Sequence, residues 1–148
     1  MTTPKPAQFS CLAIEAGSGD IVAAGSLEPY DVYLWSLKTG QLLEILSSHQ
    51  GPVSSVCFSP STASSDGGSK LASSSWDNTV KIWDIFSRQG LLETLQHSSE
   101  VLTCDFHPSI KNELVSSTLG GQMFIWDVEE GNIKSFIEAR DDLAGGRN

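Results

Sequence analysis

Basic residues are scarce in this chain. Nine Lys and Arg stand against eighteen Asp and Glu, a formal charge of −9 at pH 7, and the nine are scattered from Lys5 to Arg147. Phosphate backbones attract proteins through clustered Lys and Arg, so this balance speaks against strong direct nucleic-acid binding by the segment and makes a protein the default partner. Long apolar runs are missing as well. Stretches such as Ile21 to Gly25 fall far short of the ~20 residues a membrane-spanning helix needs. The N-terminus, MTTPKPAQFS, has no charged start followed by an apolar stretch, so no secretory signal is read. Cysteine is limited to Cys11, Cys57 and Cys104, far apart and without a C-x-x-C pair, which argues against a disulfide framework or a zinc knuckle. Each lies in an apolar, strand-like segment, where a free thiol behaves as a small hydrophobe. A reducing, intracellular compartment is the expectation. Helical periodicity is absent over most of the chain. Only EEGNIKSFIEARDDL could be argued as a helix, and its Gly131, Ile133, Phe136 and Ile137 suit a strand by analogy with earlier segments.

What is present is repetition. The 148 residues are 39% hydrophobic, enough for one ordinary domain that could bury roughly 68–70% of its unfolded surface. Aligned on the tryptophans, YLWS, KIWD and FIWD put Trp35, Trp83 and Trp126 at spacings of 48 and 43 residues. The difference sits in one place: Leu71 follows Pro60 by eleven positions, and Leu114 follows Pro108 by six. The surplus, STASSDGGSK (Ser61 to Lys70), is a loop insertion by composition. VSSVCFSP pairs with VLTCDFHP, LASSS with LVSST, GQLLEIL with GLLETL, and His49 and His97 each stand four residues before the first Val of a unit. Every unit thus holds four short apolar stretches of strand length, rich in residues that favour a pleated surface and separated by turn formers. We read a tail over residues 1–8, units over 9–46, 53–96 (with the insertion 61–70) and 101–137, and a linker over 138–148.

A repeat of ~40–45 residues with four strands and a terminal Trp-Asp is the signature of a propeller blade. The chain resembles the WD-repeat family over nearly its whole length. The resemblance implies an all-β fold of three four-stranded blades. Propellers close with four to eight blades, so the expectation is an incomplete, truncated propeller, a fragment whose first and last apolar faces stay unpaired. It also implies a buried hydrogen-bonded set in the middle blade: His49, a hydroxyl at Ser75 (or Ser73, on the same strand face), Asp77 in the turn and Trp83. Asp77 would hold the imidazole, whose other nitrogen meets the hydroxyl, which accepts from the indole. The third unit offers His97, Thr118 and Trp126, with Gly120 where Asp77 would be. The first offers Ser26 and Trp35, with a longer turn and no visible His.

His49, Ser75 and Asp77 could also be taken for a nucleophile triad, but that chemistry needs an oxyanion hole, and there is no G-x-S-x-G elbow. The structural reading is preferred, with no catalytic, cofactor or metal residues. GSGD (Gly17 to Asp20) lacks the Lys-Ser/Thr of a phosphate loop and reads as a hairpin loop. His107 reads as a loop-edge residue, and RDDLAGGRN as a linker. A narrower resemblance, carried by SWDNTVKIWD and GDIVAAGSLEPYDVYLWS, is to WD-repeat scaffolds of small-ribosomal-subunit assembly. It implies a nucleolar place in the UTP-B subcomplex of the small-subunit processome. Partners would be other WD-repeat proteins of that subcomplex. Pre-ribosomal and small nucleolar RNA would be met through the assembled complex, with no membrane and no small-molecule substrate. The other reading is an adaptor of another pathway, a ubiquitin-ligase substrate receptor or a G-protein-β-like platform.

Overall fold

A computed structural model describes residues 6–60, 70–85 and 90–138. All the regular elements among them are strands, in three antiparallel sheets. The first holds β1 (Gln8–Ile14), β2 (Ile21–Glu28), β3 (Asp31–Ser36) and β4 (Leu42–Ser47). The second holds β5 (Val53–Phe58), β6 (Lys70–Ser75), β7 (Thr79–Asp84) and β8 (Gly90–Gln96). The third holds β9 (Val101–Phe106), β10 (Glu113–Thr118), β11 (Gln122–Asp127) and β12 (Asn132–Glu138). Each sheet runs in simple sequence order. The outer strands of the first and third sheets extend one residue past the units read from sequence. Most of the insertion (61–69), most of the linker (139–148) and residues 1–5 of the tail lie outside the described residues.

Register makes the repeat physical. Trp35, Trp83 and Trp126 sit opposite Val22, Leu71 and Leu114, and in all three sheets the pairing with the fourth strand slips at the tryptophan. A second irregularity recurs near the start of each first strand, at Phe9–Cys11, Val53–Ser55 and Val101–Thr103. It leaves one extra residue there: Ser10, Ser54 or Leu102. Such bulges re-aim side chains, and here they aim them at the next sheet. The Ser10 hydroxyl donates to the Val53 carbonyl at 2.5 Å and Ser54 donates to the Val101 carbonyl at 2.7 Å. These two bonds bring the starts of β1, β5 and β9 together at one end of the molecule.

The core lies between sheets. Ala23, Val32, Leu34 and Leu46 of the first pack with Val53, Val56, Leu71 and Trp83 of the second. Ala72, Val80, Ile82 and Leu95 of the second pack with Val101, Phe106, Leu114 and Trp126 of the third. Each of these tryptophans faces the preceding sheet. Because the second sheet is covered on both sides, β6 and β7 are buried almost throughout, whereas β3 alternates and β12 is exposed. The sheets form an open arc, first on second and second on third. At the first sheet's outer face Trp35 stacks on Tyr33 and meets the edge of Phe9, with ring centroids 5.6 and 5.4 Å apart. Gly25 is confined to hydrogen at the first junction, since a Cβ there would lie 2.5 Å from a Val53 methyl and 2.6 Å from Cys11 Sγ. Cys57 and Cys104 meet at the other junction with Sγ atoms 3.8 Å apart, as free thiols. Contact with Cys104, followed by burial, pushes the Cys57 thiol far above the ordinary range, so it stays protonated.

Candidate functional site

The middle sheet concentrates its buried polar groups around His49. Its Nδ1 donates to Asp77 Oδ2 at 2.9 Å, and its Nε2 lies 2.7 Å from Ser73 Oγ. The Trp83 indole N–H, which can only donate, reaches the same Ser73 Oγ at 2.9 Å. Ser73 therefore accepts from the indole and gives its own proton to the imidazole. The central hydroxyl is Ser73, and the expectation of Ser75 is corrected. Leu71 is the direct partner of Trp83, so Ser73 is the diagonal neighbour within reach of a long side chain. Ser75 is about 7 Å further along the strand. It donates instead to the Gly51 carbonyl and accepts from the Asp77 amide.

Asp77 collects more than the imidazole. The amides of Gln50 and Thr79 donate to it at 2.9 and 3.0 Å, and the Thr79 hydroxyl donates as well. Burial by itself would raise its carboxyl. The hydrogen bonds from His49, Thr79 and Gln50 outweigh burial and hold it well below the usual carboxylate range.

The third sheet repeats the chain of donors with one substitution. Trp126 Nε1 donates to Ser116 Oγ at 2.9 Å, and Ser116 lies 2.7 Å from His97 Nε2. The hydroxyl is again ten residues before the tryptophan, so Ser116 replaces the expected Thr118, for the same reason of reach. The Thr118 hydroxyl makes only long contacts to the Gln122 main chain, at 3.4 and 3.5 Å. Where Asp77 would stand, the His97 Nδ1–H donates to the Leu95 carbonyl at 2.9 Å. A carbonyl can only accept, which fixes the tautomer. Burial lowers the His97 pKa, against the raising effect of bonds to the Leu95 and Asn78 backbone.

In the first sheet no such set is assembled. Ala24 holds the register position of Ser73 and Ser116 and has no hydroxyl. Ser26, equivalent to Ser75, donates to the Gln8 carbonyl at 3.3 Å. The other candidates resolve locally. Glu15 takes the Gly17 and Ser18 amides at 2.6 and 2.8 Å, so the chain's own carboxylate occupies the GSGD hairpin where an anion would bind. His107 Nδ1 accepts the amides of Ser109 and Ile110 at 3.0 and 2.8 Å, which closes the β9–β10 turn. Sequence reasoning missed Ser10 and Ser54; their shared place beside the first paired residues of β1 and β5 was the available signal.

The order Ser73, His49, Asp77 matches that of a nucleophile triad, but Ser73 is fully buried and its acceptor side is filled by the indole. No substrate carbonyl can reach that oxygen. The arrangement ties the second strand, the third strand and the segment ahead of the first strand into one unit. Among the described residues no group of three or more His, Cys, Asp and Glu is arranged to hold a metal ion.

Four-stranded sheets in sequence order, each with a buried tryptophan or its register equivalent and a His–Ser link in two of three, define a class of repeat protein. The family described as "WD domain, G-beta repeat" matches residues 40–84 and 89–127, and the chain belongs to it. Both matches end at a Trp-Asp pair, and the first opens just ahead of β4, so the family's repeat is offset by one strand from the sheet. At the level of individual proteins, the chain is similar to the Periodic tryptophan protein 2 homolog of Schizosaccharomyces pombe, 51% identical over 99% of this chain and 16% of that protein. It is 49% identical to Periodic tryptophan protein 2 of Arabidopsis thaliana over 99% of the chain and 15% of that protein. With the Saccharomyces cerevisiae protein of the same name it shares 44% over 95% of the chain and 14% of that protein. The chain thus spans about 15% of the length of these relatives.

Proposed function

We propose that this chain is a non-catalytic WD-repeat platform in a scaffold of ribosome biogenesis, supporting small-subunit pre-rRNA processing within the small-subunit processome. The observation that carries the reading is similarity at 44–51% identity, over nearly the whole chain, to Periodic tryptophan protein 2 from two yeasts and a plant. The site geometry supports the non-catalytic part, because the hydroxyl and imidazole that could do chemistry are sealed and bonded within the sheet. On this reading the protein is nucleolar, and its partners are other WD-repeat proteins of the UTP-B subcomplex. RNA is met through the assembled complex, in keeping with the acidic balance of the chain. Affinity purification of the full-length protein tests this. Recovery of small-subunit processome proteins is the expected result. Recovery of cullin or receptor components in their place would overturn it in favour of an adaptor of another pathway.

A further inference from the structure

Two seams join the three sheets, and equivalent places in them carry different chemistry. Cys57 is paired with Ala72 and Ala13 with Ala23, and each of those alanines follows the register partner of a tryptophan. Val56 is paired with Ser73 and Cys104 with Ser116, the two relay hydroxyls. Ala13 and Val56 therefore hold at the first seam the places that Cys57 and Cys104 hold at the second. The first pair belongs to one packed cluster and offers only hydrocarbon. At the second seam two free, buried sulfurs meet between β5 and β9, with Sγ atoms 3.8 Å apart.

The first seam shows that hydrocarbon fills this place, so packing alone does not call for two thiols. Around the pair lie Val101, Phe106, Leu114 and Trp126, and no other polar group competes for the sulfurs in that cluster. A disulfide needs sulfur atoms about 2 Å apart. The remaining gap is of the size that χ1 rotation closes when two side chains already face each other.

We propose that Cys57 and Cys104 form a redox-sensitive staple, closing to a disulfide across the second seam when hydrogen peroxide reaches them. One sulfur, as thiolate, attacks a peroxide oxygen. An S–O bond forms, the O–O bond breaks, and the departing hydroxide takes up a proton and leaves as water, with a sulfenic acid left behind. The second sulfur gives up its proton and attacks the first. The S–S bond forms, the S–O bond breaks, and a second water leaves. Two thiols and one peroxide thus give one disulfide and two waters, the sulfurs losing the two electrons that the peroxide gains. A dithiol reductant reverses the closure by exchange. In reducing surroundings such a pair rests as thiols and oxidises only transiently.

The seam itself gates the reaction. The thiolate is the reactive form, and contact with Cys104, together with burial, holds Cys57 as the thiol. Closure waits on a parting of β5 from β9 that wets the pair. The Ser54 hydroxyl, on the same strand as Cys57, opposes that parting through its bond to the Val101 carbonyl at 2.7 Å. Once closed, the staple fixes the second sheet to the third and leaves the first seam as it was.

Full-length protein exposed to hydrogen peroxide, quenched with iodoacetamide and digested is read by mass spectrometry. The expected product joins the Cys57 and Cys104 peptides, is lighter than their sum by two hydrogens, and disappears on treatment with dithiothreitol. Ser54→Ala speeds its formation severalfold. Hydrogen exchange in β5 and β9 slows on oxidation. Cys57→Ala with Cys104→Val, which copies the first seam, keeps the near-UV circular dichroism and loses that slowing. The linkage assay itself needs no variant. Recovery of the two cysteines as separate alkylated or sulfinic peptides, linkage to Cys11 as often as to each other, a rate indifferent to Ser54→Ala, or the same slowing in the double variant would overturn the inference.

Discussion

The second and third sheets carry the same relay, indole to hydroxyl to imidazole, and part company only at the far nitrogen of the histidine. In one it meets Asp77, in the other the Leu95 carbonyl. The comparison separates two duties that a single acid combines. Fixing the tautomer needs only an acceptor, and the main chain provides one. Lacing the turn to the segment ahead of the first strand needs a group that can take several donors at once, and Asp77 takes the Gln50 and Thr79 amides with the imidazole. The third sheet spreads that duty out: the Gly120 amide goes to Ser99 Oγ and the Leu119 amide to the Glu100 carbonyl.

The contrast breaks most sharply at the acid. Asp77→Ala leaves the imidazole and two amides without their partner and destabilises by about 1.5–3 kcal/mol, the range for hydrogen bonds to a charged group. Gly120→Ala brings a methyl within 3.3 Å of the rotatable Ser99 hydroxyl and stays within about 0.5 kcal/mol. Equal melting temperatures for the two variants would erase the distinction. Next come the hydroxyls. Ser73→Ala and Ser116→Ala each strand a buried indole N–H and an imidazole nitrogen, at about 1–3 kcal/mol apiece. Thr118→Val, which removes only long contacts, has a smaller effect by chemical denaturation; the reverse ranking would restore Thr118 as the centre.

Smaller still is the link between the two sheets. Ser54→Ala deletes its bonds to Val101 and Ser74 at about 0.5–1.5 kcal/mol, and hydrogen exchange should quicken at the β5–β9 boundary before it does inside either sheet. The last difference is one of pH. His97 has a lowered folded-state value, so its neutral form contributes fully above the ordinary histidine value of about 6.5 and stability declines as pH falls through it. Asp77, also lowered, contributes above the ordinary carboxylate value of about 3.9, and that contribution is lost only as pH drops below it. A His97→Gln variant should flatten the mildly acidic slope of melting temperature and leave the strongly acidic one in place; an unaltered slope would show that another group sets it.

How much of this was legible in the sequence follows from what leaves a residue signature. The twelve strands and the three tryptophan positions were, because turn residues and apolar stretches recur at matched places. The His, Asp and Trp of the middle sheet were too, by resemblance. The hydroxyl was misplaced by two positions because Ser73 and Ser75, like Ser116 and Thr118, share a strand face, and only the hairpin register tells them apart. The Leu95 carbonyl was invisible, since every residue has one. The empty place in the first sheet shows only when Ala24 is counted from Val22 opposite Trp35, across a turn longer than its counterparts.

The bulge serines carry a final consequence. In both junctions the donor is a side chain and the acceptor is the main chain of the following strand. Substitution is therefore tolerated unevenly across each seam: positions 53 and 101 can vary in side chain without forfeiting the bond, while positions 10 and 54 cannot give up their hydroxyls. Leu102, at the matching place in the third sheet, has no hydroxyl to give and is partly exposed. At positions 53 and 101 the limit on substitution is the packing of a fully buried valine between two sheets, not the bond.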